Sequence, residues 1–137
     1  MNSPGNRKFR TRRGSSLVEM AIVLHLLLLL TIGMLEYGWF FLNAQMITNA
    51  ARHGARRGAV VDATDAEATA ELRAALGGFL QGKWTTAEVV TGAGTDPATV
   101  ATVVVPVANI RLIKFDPLPE PENLRARVVM AKEGATP

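Results

Sequence analysis

The sequence predicts a membrane-anchored α+β chain: a long N-terminal transmembrane helix extending outward, then a small domain of one helix and about three antiparallel strands. Three observations lead there. Residues 17–42, LVEMAIVLHLLLLLTIGMLEYGWFFL, form an apolar run of membrane-crossing length. A helical repeat of leucines follows a capping sequence at Thr64–Glu67. The remainder is rich in valine and threonine, in short stretches parted by glycine and proline.

The first 14 residues, MNSPGNRKFRTRRG, are basic, polar and without periodicity, and read as a disordered leader. The apolar run follows. Met20–Leu42 is 23 residues, about 34 Å of helix, enough to span a bilayer with some tilt. Tyr37, Trp39 and Phe40 near its end suit an aromatic belt at the interface. The net charge of +3 is unevenly placed: Arg7, Lys8, Arg10, Arg12 and Arg13 form an acid-free block before the run. Such a block favours the cytoplasmic side, so the later chain is expected outside the inner membrane, crossing it once. The domains are then a leader at 1–14, a segment at 15–58 with its transmembrane helix at about 17–42, and an extracytoplasmic α+β domain at 59–137.

Nothing stops the helix at Leu42. NAQMITNAARHGARRGAV has no proline, and Ala50, Gly54 and Gly58 repeat every four residues. Small residues at that spacing admit a second helix at close range, although a solvated, alanine-rich extension fits the same pattern. Arg52, Arg56 and Arg57 read as a solvated basic stripe. Asp62–Gly82 reads as a second helix, capped by Thr64 and Glu67, with Leu72, Leu76, Phe79 and Leu80 on one face and its end marked by Gly77, Gly78 and Gly82. Strands are expected at Thr86–Thr91, Thr99–Val105 and Leu124–Ala131. GAGTDP at 92–97 reads as a turn, Asn109–Phe115 is ambiguous, and the prolines at 117, 119 and 121 suggest an extended connector.

The residues point away from catalysis. With no cysteine there are no disulfides, thiolate metal sites or cysteine nucleophiles. His25 and His53 are too far apart along the chain to suggest a metal site. No nucleophile has a recognisable base beside it, and Gly92 and Gly94 in TGAGTDP do not make a phosphate cradle. No enzyme, metal, cofactor or small-molecule substrate is expected.

The opening RRGSSLVEM raises a sharper question, because Glu19 stands inside the apolar run. A carboxylate at a bilayer centre costs about 2.5–3.5 kcal/mol on insertion scales. A secretory signal is cut after its apolar region, and nothing beyond Leu42 matches such a site. Cleavage ahead of the run would keep the helix in the mature protein. A cut after Gly14 would make Ser15 the N-terminus, its ammonium four residues from Glu19 and about 6 Å along the axis. The two charges then offset each other's desolvation, within one chain or between neighbours. Glu36, 17 residues further on, is expected near the outer interface with Tyr37, where a partner helix and simple solvation are both open.

The segment RRGSSLVEMAIVLHLLLLLTIGMLEYGWFFLNAQMITNAARHGAR resembles the leader and helix of type IV pilins and pseudopilins, and more specifically the TadE family of the tight-adherence (Flp pilus) system. The resemblance rests on Arg12-Arg13-Gly14, Val18-Glu19, Glu36-Tyr37-Gly38, and Asn49-Ala50-Ala51-Arg52 followed by Gly54-Ala55-Arg56. It covers residues 12–58, with a weaker echo in ARVVMAKE at 126–133. The chain departs from the family at His25, where proline is common; an imidazole at a helix-bundle interface is the expected reading there. The resemblance implies a non-catalytic component of Flp (type IVb) pilus assembly or tight-adherence secretion, cut by the prepilin peptidase between Gly14 and Ser15. Arg12, Arg13 and Glu19 would serve leader recognition and assembly. It implies other pilins or pseudopilins and the pilus assembly platform as partners, in the bacterial inner membrane. A signal-anchored binding module unrelated to pili is the alternative, and it predicts an uncut N-terminus. Nucleic-acid binding through the leader is a remoter one, not expected of this chain.

Overall fold

The computed structural model describes residues 13–92, 97–113 and 121–134. Helix α1 (Arg13–Gly58) runs unbroken for 46 residues, so the expected extension beyond Leu42 is helical. The expected turn at 92–97 and the proline-rich connector lie largely outside the described residues, as does all of the leader before Arg13. Arg13 itself and Gly14, assigned to the disordered leader from sequence, belong to the helix.

The chain forms two compact units, Met1–Leu35 and Glu36–Pro137. In the first, Leu17–Leu35 is an apolar stretch of 19 residues, about 28 Å of helix. Its side chains are exposed all round, as at Met20, Leu26 and Met34. By length and composition it is a helix able to cross a membrane. Two of its polar side chains, His25 and Thr31, turn back onto their own backbone. His25 Nδ1 lies 2.9 Å from the Ala21 carbonyl oxygen, and the Thr31 hydroxyl donates to Leu27 O at 2.8 Å.

The second unit packs helices on one face of a three-stranded antiparallel sheet. Strands β1 (Thr86–Thr91), β2 (Ala98–Pro106) and β3 (Asn123–Ala131) lie in the order β1-β2-β3. These three agree with the sequence expectation to within a residue at each end. Period-two alternation sends Ala87, Val89, Thr99, Ala101, Val103, Val105 and Ala126 inward. On the opposite face, Val90, Val100 and Val129 align across the strands, as do Glu88, Thr102 and Arg127. Against the inner face lie Ile47, Ala50, Ala51 and Ala55 of α1 and Ala68, Leu72 and Leu76 of helix α2 (Asp65–Ala75) and its C-cap.

The expected helix over 62–82 is broken. It ends at Leu76, and Gly77 takes φ +68°, a left-handed conformation that a side chain would strain. A short helix α3 (Gly77–Leu80) follows. The break leaves Leu80 in the core but turns Phe79 outward, against the expectation of one shared face. There its ring meets Trp39 edge-on at 5.1 Å and carries Lys83 Nζ 3.5 Å from its centroid.

The capping box forms as expected: Thr64 Oγ1 accepts from Glu67 N, and Thr64 N donates to Glu67 Oε2. One feature of α2 was not foreseen. Asp65, Thr69 and Arg73 stand four residues apart on one stripe, and that stripe covers the outer edge of β1. Asp65 accepts from the Thr91 amide and hydroxyl at 3.2 and 2.6 Å. Thr69 Oγ1 accepts from Val89 N at 3.0 Å, and Arg73 Nε donates to Ala87 O at 3.1 Å. Ala87 O, Val89 N and Thr91 N, backbone groups on the free edge of the sheet, are thereby satisfied by side chains. Thr69→Val, nearly isosteric, orphans the Val89 amide. It is expected to cost about 1–2 kcal/mol in urea unfolding and to speed exchange of that amide. Unchanged exchange at Val89 would refute the edge clamp.

Candidate functional site

The N-terminal candidates sit in the first two turns of α1. Arg12 lies outside the described residues, and Arg13 opens the helix. Gly14, Ser15 and Glu19 are all exposed, and a Cβ added at Gly14 meets nothing within 4 Å. Ser15 and Glu19 stand on adjacent turns of one face, the spacing at which helical side chains meet. The first turn carries no acid, and its amides lack intrahelical partners. The Gly14–Ser15 peptide therefore lies where a helix unwinds at least cost. With the helix beginning at Arg13, Glu19 stands beyond the first turn, where a helix dipole acts most strongly.

Glu36 is not left to solvent, one of the two readings open from the sequence. It is only 2% exposed and belongs to the sheet-containing unit. Its Oε1 accepts from Leu112 N at 3.2 Å and its Oε2 from Ile113 N at 3.1 Å. Both oxygens are used by backbone donors, so this carboxylate is a structural acceptor. One turn on, Trp39 Nε1 donates to Ile110 O at 2.6 Å. Glu36 and Trp39 thus hold one short segment, Ile110–Ile113, that follows the 3₁₀ turn Val107–Asn109. The aromatic belt expected from sequence is spent in this unit: Trp39 bonds Ile110, and Phe40 is buried. Tyr37 is about half exposed, its ring edge-on to Phe40 at 6.4 Å. Of the apolar run extended to Leu42, the residues from Glu36 onward lie in the second unit.

The small-residue stripe also has a definite neighbour. Ala50 is 1% exposed, and a Cβ at Gly54 would lie 2.7 Å from Leu72 Cβ. At Gly58 it would lie 2.6 Å from Thr99 Cγ2. Of the two readings left open by the spacing, the structure has the close approach, and what approaches is the same chain's α2 and sheet rather than a separate helix. The Thr99 hydroxyl donates to Gly58 O at 3.0 Å, and Glu133 N donates to Ala59 O at 2.7 Å, so the end of α1 is tied to β2 and to the residues after β3. Among the basic residues, Arg57 pairs with Glu67 at 3.1 Å, both about half exposed, a contact of small energetic weight.

Sequence reasoning missed the Glu36 acceptor site because its partners are backbone amides in a segment without periodicity. The available signal was Glu36 and Trp39 three residues apart, one helical face carrying an acceptor and a donor.

Residues 14–56 match the model of the family of TadE-like proteins, the family the sequence motifs resemble. The match lies wholly within α1. No curated protein and no solved structure matches the chain.

Proposed function

We propose that this chain, whose residues 14–56 are TadE-like, is a pseudopilin-type, non-catalytic component of Flp (type IVb) pilus assembly or tight-adherence secretion. The observation that carries the reading is the arrangement at the start of α1. Arg12 and Arg13 precede an exposed Gly14–Ser15 peptide in a first turn, and Glu19 follows Ser15 by four residues. The basic leader stays at the cytoplasmic face of the inner membrane, and the apolar helix crosses it. The prepilin peptidase cuts after Gly14. The new Ser15 ammonium then offsets the charge of Glu19 in the low dielectric. The second unit stands outside the membrane, where it meets other pilins or pseudopilins and the assembly platform.

Intact-mass measurement on chain recovered from membranes of peptidase-containing cells is expected to show Ser15 as the first residue. Gly14→Ala is expected to leave the leader in place, because a methyl group intrudes at the scissile bond. Retention of the leader in the wild-type chain, or normal cutting of the variant, would overturn the proposed processing.

A further inference from the structure

Between Leu17 and Leu35 the helix carries two ionisable side chains, Glu19 and His25. Both are exposed, in a stretch whose other side chains are almost all apolar. His25 Nδ1 is 2.9 Å from the Ala21 carbonyl oxygen, which only accepts, so Nδ1 carries the hydrogen. Nε2 is left for a partner, and in a membrane neither lipid tails nor water supply one. Glu19 is the chemical complement, yet the two cannot meet within one helix. Six residues separate them by about 9 Å along the axis and about 240° around it. Side chains meet along a helix at three or four residues, not six.

We infer that this helix packs against a second copy of itself, parallel and slid by six residues, so that His25 Nε2 of one copy and the Glu19 carboxyl group of the next hold one hydrogen between them. Charge complementarity names the occupant: every copy presents an acid on one face and a base on another, at a fixed offset. The same slide sets Ser15 against Ala21, two small side chains that let backbones approach, and Leu26 against Ile32. A carboxylate has two oxygens, so the imidazole takes one and leaves the other for an amine at Ser15. The acid and base faces differ, so the contact is head-to-tail and does not close into a symmetric dimer. Successive copies instead form an open array that advances about 9 Å per chain. The inference rests on the membrane reading of residues 17–35 and is independent of cleavage at Gly14, since both side chains are present before and after it.

The chain has no cysteine, which makes the register directly readable. Full-length Leu26→Cys and Ile32→Cys chains are mixed in phospholipid vesicles and oxidised. Leu26 and Ile32 each lie seven residues, about two turns, beyond Glu19 and His25 respectively. The mixed disulfide, joining a Leu26→Cys chain to an Ile32→Cys chain, is expected to dominate over either like-with-like product. Glu19→Leu or His25→Leu, added to both chains, is expected to weaken it about three- to tenfold, the range for interhelical hydrogen bonds in membranes. Exchanging the pair, Glu19→His with His25→Glu, is expected to restore it. Dominance of like-with-like cross-links, or failure of the exchange to restore the mixed one, overturns the pairing alone. Release of the chain from vesicles by alkali overturns the membrane reading and the pairing together.

Discussion

Gly54→Ala is expected to destabilise the second unit by about 2 kcal/mol, although alanine is favoured over glycine inside a helix by about 1 kcal/mol. The sign is decided by what the new methyl meets. A Cβ at Gly54 would lie 2.7 Å from Leu72 Cβ and 3.0 Å from both Leu72 Cδ1 and Val89 Cγ2. A Cβ cannot rotate away, because the backbone fixes it. Relief therefore requires α1 and α2 to part, which loosens Ala50, Ala51, Leu72 and Val89 together. Gly54→Val is expected to cost about 3 kcal/mol or more. Leu72→Ala should rescue Gly54→Ala only in part, since it removes the Cδ1 contact but keeps Cβ. Gly38 is the internal control: it is helical, and its Cβ would meet nothing within 4 Å. Gly38→Ala should raise stability by up to about 1 kcal/mol. The measurement is urea unfolding of the full chain in detergent, followed by tryptophan fluorescence. Both tryptophans, Trp39 and Trp84, belong to the unit Glu36–Pro137. Equal stabilisation by Gly54→Ala and Gly38→Ala would show that no close approach exists.

What was legible in advance follows the range of each interaction. The three strands and the Thr64–Glu67 box are encoded locally, in β-branched runs and in one turn's own side chains. The TadE-like segment was legible for the same reason, its motifs lying along one continuous helix. Spacing at Ala50, Gly54 and Gly58 permits a close approach, but whether a neighbour comes and which one depends on how the chain folds back. The stripe of Asp65, Thr69 and Arg73 is equally silent by itself: on a helix it reads as a solvated face, and becomes a clamp only when the β1 edge lies beside it. Phe79 failed because Gly77 at φ +68° resets the helical phase between Leu76 and Leu80. The partners of Glu36 were silent for a related reason. An acid at the end of an apolar run reads as solvated or as facing another helix, unless a later segment brings two amides to it.

Glu36→Ala is therefore expected to lower the stability of the second unit by about 2–3 kcal/mol, and to do so locally first. Both carboxylate oxygens accept backbone amides, from Leu112 at 3.2 Å and Ile113 at 3.1 Å, and a methyl group replaces neither. Hydrogen exchange at those two amides should rise well before the strands open. Glu36→Gln keeps one acceptor oxygen but turns an NH₂ group toward the second amide, so about half the loss is expected. Trp39→Phe removes the Nε1–H donor to Ile110 O and should cost about 1 kcal/mol. Because Glu36 and Trp39 hold one segment, Ile110–Ile113, the double variant should cost less than the sum of the two single changes. A fall in global stability with unchanged exchange at Leu112 and Ile113 would mean that Glu36 acts through burial alone. The stakes exceed one hydrogen-bonded pair. Glu36 and Trp39 lie within the matched segment 14–56, whereas Ile110–Ile113 lie outside it. These contacts fasten the segment shared with TadE-like proteins to the part of the chain that follows it.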